Sequence, residues 1–141
     1  MGAPAVGTVG LVRFPFSDLS RAKLRPAIVL AHTGRDDAIL CQVTSKSYGD
    51  ARAIAIDTTD LATGSLRLAS FARPGKLFTA NGTIISSAVA TLTRGALTRV
   101  IDAVVEILRS GVAREGQPVR DDGGLPGDPD REGKTDAKET E

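Results

Sequence analysis

The chain has 141 residues, room for one domain of ordinary size with its own core, and its 41% hydrophobic and 25% charged residues are ordinary for a globular protein. Aromatic residues make up only 4% and tryptophan is absent, so the core must be aliphatic, and no apolar run approaches the roughly 20 residues that cross a bilayer. The net charge of +1 hides a split: residues 1–110 hold thirteen Lys/Arg against eight Asp/Glu, whereas 111–141 hold five against nine.

The N-terminus, "MGAPAVGTVG", lacks the basic start and long apolar segment of a signal peptide, which makes the cytoplasm the expected location. The first strand expected is "TVGLVRF" (8–14), and "AIVLA" (27–31) is the second. Between them, "PFSDLSRAKLRP" sets Arg21, Lys23 and Arg25 against a single acid, Asp18. Pro26 has a fixed φ and biases the Leu24–Arg25 step toward extended backbone, so a strand should begin with Arg25 held at its start. His32 follows as a loop-edge histidine without a placed partner.

In "AILCQVTS" (38–45), alternation puts Ile39, Cys41 and Val43 on one face and Leu40, Gln42 and Thr44 on the other, so Thr44 projects from the more polar side. Cys41 is the only cysteine; it has no disulfide partner within the chain and reads as a small core hydrophobe. Further strands are expected at "RAIAID" (52–57), "SLRLAS" (65–70) and "KLFTA" (76–80), with Leu66 and Leu68 sharing one face and Arg67 turned from the core. The period then changes. Leu97, Val100, Ile101, Val104 and Leu108 recur at helical spacing, with Thr93 as the cap and Arg109 to Gly111 as the end.

These elements predict a mainly β domain over 1–110, a compact antiparallel sheet or small barrel closed by one C-terminal helix. Residues 111–141, rich in Gly, Pro and acids, bury too little to offset the entropy of ordering and read as a disordered tail.

The chemistry is defined as much by what is missing. One His and one Cys cannot make the usual clustered zinc site, and there is no HExxH, CxxC, Walker loop, GxGxxG or GxSxG, so no metal or cofactor is expected. What remains is Arg21, Lys23 and Arg25 in the opening loop, Thr44, Ser45 and Lys46 at a strand end, and Arg67 and Arg73 around another strand. Guanidinium forks and hydroxyls suit phosphate, both to hold a strand and to stabilise charge on a phosphorane-like transition state. The alternative is an ordinary solvated basic surface.

"GTVGLVRFPFSD" leading into "KLRPAIVL", then "CQVTS", then "GSLRLAS" and the amphipathic helix, resembles the MazF/PemK family of toxin–antitoxin toxins over about residues 7–109. The resemblance implies an SH3-like small barrel of the MazF/PemK/CcdB type and a homodimer. It also implies a metal-independent endoribonuclease that cuts single-stranded mRNA at short sequences, blocked by a cognate antitoxin. By position, Arg25 matches the family's catalytic arginine and Thr44 its catalytic threonine; Arg67 aligns with an arginine near the scissile phosphate, and Ser45 is an RNA contact. Arg21, Lys23, Lys46 and Arg73 would then be further RNA-binding residues. The chain departs from better-known relatives where "RLASFARP" offers Ala69 and Ser70 in place of an acid, and where Asp18 stands instead of a Glu shortly before the arginine. Asp18 is thus either an acid/base or a turn-forming residue after Ser17. A noncatalytic SH3-like module binding RNA or a protein strand is the other function open to this sequence.

Overall fold

In the computed structural model, described over residues 3–14, 23–47 and 49–114, seven strands form one antiparallel sheet ordered β4-β6-β3-β2-β1-β7-β5. They are β1 (Thr8–Phe14), β2 (Lys23–Gly34), β3 (Asp37–Thr44), β4 (Ile54–Ile56), β5 (Leu61–Gly64), β6 (Ser70–Asn81) and β7 (Ile85–Leu92), followed by α1 (Arg94–Arg114). Register shifts interrupt the β1–β7, β2–β3 and β3–β6 pairs, and irregularities of this kind sharpen strand twist. The result is a curled half-barrel whose hydrogen-bonded ladder ends at the short strands β4 and β5.

The described residues divide into two units, one reaching to Val105 and one beginning at Glu106, and the tail expected over 111–141 lies outside the described residues beyond Arg114. In the first, the sheet is buried on both faces, and strand alternation decides which residue goes where. Val9, Ile28, Leu30, Cys41 and Val43 gather on the face that receives Ala96 and Val100 of α1, with Leu97, Ile101 and Val104 alongside. Val12, Ala27, Val29, Ala38 and Leu40 form a second cluster, flanked by Phe78 and Ile85. The alternation expected for β3 is therefore the one observed for Ile39, Cys41 and Val43 against Leu40. In the second unit, the described residues are the last turns of the helix; there the Ser110 hydroxyl donates to the Ile107 carbonyl (3.0 Å).

The helix starts as its sequence indicates, for the Ala96 N–H donates to Thr93 Oγ1 (3.1 Å). It does not stop at Gly111 but runs to Arg114, and Leu108, expected on the apolar stripe, is exposed. Its start is tied down through Asp60. The Asp60 carboxylate accepts the Asp57 N–H (3.0 Å) and Arg99 Nη2 (3.0 Å), while its carbonyl accepts the Thr93 N–H (2.8 Å).

Three expectations are corrected. Ser65–Ala69 is not a strand: β5 ends at Gly64, whose φ of +78° turns the chain, and a Cβ there would overlap the Val89 carbonyl and Ala90 backbone. Leu66 and Leu68 consequently part, Leu66 packing on the first core and Leu68 standing exposed. His32 lies within β2 rather than after it, its Nε2 donating to the Pro4 carbonyl (2.7 Å). Strand β7 was not expected at all.

Candidate nucleic-acid interface

The cavity that matters begins at the mismatch between β2 and β3. These strands pair Ala27 with Gln42 and Ile28 with Cys41. Ala27 is the first residue of β2 that β3 pairs, so Arg25 and Thr44 lie just beyond the end of that ladder, and both line the cavity that opens there. Pro26 has no N–H to give to β3, so the ladder opens there, while β1 still pairs Val12 with Arg25 and Leu11 with Pro26. The Arg-Pro step thus keeps Arg25 paired with β1 where it borders a groove.

That groove is a cavity of about 460 Å³. Arg25 and Leu24 come from the start of β2, Val43 and Thr44 from the end of β3, and Ser45 from the loop that follows. Ser65, Leu66, Arg67 and Leu68 come from the turn after β5, Ser70 from the start of β6, and Leu11 and Val89 from β1 and β7. Val43, Leu66 and Val89 are continuous with the first core cluster, so the cavity has an aliphatic floor. Its lining holds two guanidinium groups, and neither a carboxylate nor an imidazole among the described residues.

Each polar group is held in a defined way. Arg25 Nε is buried. Thr44 is buried, and its Oγ1 accepts the Lys46 N–H (3.2 Å), which orients the hydroxyl and leaves its proton to donate. The Ser70 hydroxyl donates to the Leu68 carbonyl (2.8 Å), closing the turn that carries Arg67. The loop after Thr44 is ordered through Asp50, whose carboxylate accepts the Arg52 N–H (2.9 Å) and pairs with Arg73 Nε (3.2 Å). The Arg52 N–H first, and then the Arg73 guanidinium, hold the Asp50 carboxyl below the usual carboxylate range.

The sequence-derived site residues therefore divide. Arg25, Thr44, Ser45 and Arg67 converge on the cavity. Lys46 is exposed next to it, with its side chain outside the lining, and Arg73 is engaged with Asp50. Arg21 and Asp18 lie outside the described residues; of Lys23 only the backbone, in β2, is described. Ser65 and Ser70 line the cavity without having been singled out. The signal for Ser65 was Gly64, a residue suited to turning the chain into the groove.

Cys41 takes no part in this chemistry. It is fully buried, its Sγ lies 3.3 Å from the Arg73 carbonyl, and burial pushes the thiol up to about 12.

Solved structures share this fold. A mycobacterial endoribonuclease in complex with its cognate antitoxin is 14% identical, with 77% of this chain and 96% of that one aligned at a TM-score of 0.57. MazF from Deinococcus radiodurans is 16% identical over 77% of this chain and 99% of its own, at a TM-score of 0.59. A MazF toxin from Mycobacterium tuberculosis is 13% identical over 72% and 96%, at 0.57. No protein-family model matches the sequence, and no curated protein matches it.

Proposed function

We propose that this chain is the toxin of a toxin–antitoxin pair, a metal-independent endoribonuclease that cuts single-stranded mRNA at short sequences, acts as a homodimer in the cytoplasm and is held off by a cognate antitoxin. The observation that carries the reading is the meeting of Arg25, Thr44, Ser45 and Arg67 in one cavity, on a fold shared with endoribonucleases solved with and without antitoxin. Among the described residues no helix is long and apolar enough to cross a membrane.

In the reaction, the ribose 2′-oxygen attacks the adjacent phosphorus and the bond from phosphorus to the 5′-oxygen breaks. The products are a 2′,3′-cyclic phosphate and a 5′-hydroxyl; a proton leaves the 2′-oxygen and one is delivered to the 5′-oxygen. The guanidinium of Arg25 braces the non-bridging oxygens as charge grows on them, and the Thr44 hydroxyl donates a hydrogen bond to one of the same oxygens. Arg67 and Ser45 hold the flanking backbone. Asp18, in the segment leading to Arg25 and outside the described residues, is the candidate acid or base for these two proton transfers, and otherwise a turn-forming residue.

One observation favours the noncatalytic binding module instead, namely that no carboxylate or imidazole stands in the described cavity lining. The two readings separate when purified protein is incubated with mixed single-stranded RNA in EDTA and the new ends are analysed. The nuclease leaves 5′-hydroxyl ends that accept label from a polynucleotide kinase directly; intact RNA that still shifts on a native gel identifies the module.

A further inference from the structure

Each cation in the cavity lining sits next to an exposed leucine. Leu24, adjoining Arg25, is 46% exposed, and Leu68, adjoining Arg67, is 65% exposed; both line the cavity. Single exposed leucines are ordinary on a protein surface. Two in the wall of one cavity, each beside a guanidinium, form a pattern that a phosphate alone does not explain, because phosphate is satisfied by cations and hydroxyls without an aliphatic wall.

Nor is Leu68 exposed through looseness of its loop. The turn leaves Gly64, where only a residue without Cβ fits, and the Ser65 N–H donates to the Val89 carbonyl (3.3 Å). Leu66 is then seated on the first core, and the Ser70 hydroxyl closes on the Leu68 carbonyl (2.8 Å). With both flanks pinned, Arg67 and Leu68 are presented to the cavity by the fold itself. Leu24 is presented likewise, on a strand that β1 continues to pair through Arg13.

A single strand of nucleic acid offers the matching alternation, an anionic phosphate beside an uncharged flat base. We infer that Leu24 and Leu68 form a base-holding subsite, in which a nucleobase between the phosphate braced by Arg25 and the flanking backbone held by Arg67 lies against the two leucine side chains. The inference rests on the RNA reading above. It replaces the aromatic platform usual in single-strand binders with an aliphatic one. Aliphatic contact carries no donor–acceptor code, so the subsite registers the presence and area of a base, purine above pyrimidine, and not the pattern on its edge.

The test is equilibrium binding by fluorescence anisotropy of the full chain to a short single-stranded RNA with a 2′-O-methyl group on every ribose, which cannot undergo 2′-attack. A matched set carries one abasic ribose at each position in turn. Wild type should lose about fivefold in affinity at one abasic position. Leu68→Ser and Leu24→Ser should each weaken the intact RNA by a similar factor and erase that abasic difference, with the salt dependence unchanged. Arg67→Ala should do the reverse, keeping the abasic difference while the slope of log K against log salt shrinks by about 0.7. Because both leucines are exposed, unchanged thermal melting will show that the variants fold. An abasic difference that survives in both leucine variants, or that wild type shows at no position, overturns the subsite and leaves the RNA reading standing. Wild type that binds none of these RNAs overturns both.

Discussion

Thr44 has two tasks that must be separated by substitution. Its oxygen accepts the Lys46 N–H, a structural bond at the edge of an exposed loop, and its proton remains to donate to a ligand in the cavity that Thr44 lines. Thr44→Val keeps the shape and loses both; Thr44→Ser keeps both and loses a methyl group. The account expects single-turnover RNA cleavage to fall about 10²-fold in the valine variant, the usual cost of one transition-state donor, and to recover most of that loss in the serine variant. A valine variant that cuts at the wild-type rate removes Thr44 from the chemistry. At this scale the placement of Arg25 and Thr44 in one cavity was legible from residue type and position, while their roles are for these variants to test. Least legible was Arg73, whose pairing with Asp50 spans 23 residues that nothing local connects.

Among the elements, the β2–β3 hairpin turns through Arg35 and Asp36, both with positive φ (53° and 68°), the signature of a type I′ turn in which Arg35 is poorly suited and Asp36 stands where glycine is preferred. Replacing the pair by Asn-Gly should stabilise the protein by about 1 kcal/mol, read as a higher urea midpoint with an unchanged slope. The helix start gives a second prediction. The Asp57 N–H, and after it the Arg99 guanidinium, hold the Asp60 carboxyl below its usual range. A lowered folded value means that its stabilising contribution is complete above about pH 4, the unfolded value, and is lost as pH falls through the folded value. Asp60→Asn should therefore cost about 1 kcal/mol at pH 7, and the gap to wild type should narrow as pH falls below about 4. A gap independent of pH would contradict this. The elements that escaped sequence reading have physical reasons. "ISSAVATL" shows little hydrophobic alternation because much of β7 is exposed, and its pairing with β1 and β5 is what makes it a strand. "SLRLAS" alternates like a strand, but Gly64 turns the backbone before that pattern can be used.

Over the whole molecule, an aliphatic core split between two faces of one curled sheet accounts for a chain with so few aromatics. The short, Gly- and Pro-punctuated strands made that architecture readable, whereas the cavity was not, since it assembles from β1, β2, β3, β5–β7 and their turns only when the sheet curls. The central claim is that this cavity is a reaction centre and not only a basic groove. The measurement that tests it most directly is single-turnover cleavage of a labelled single-stranded RNA by wild type and Arg25→Ala, with affinity for the 2′-O-methyl form of that RNA measured in parallel. The account predicts a loss of about 10³-fold or more in cleavage rate with affinity reduced no more than about tenfold, because the guanidinium serves the charge that develops in the transition state. Cleavage by Arg25→Ala at the wild-type rate, or a rate loss matched step for step by lost affinity, would contradict it.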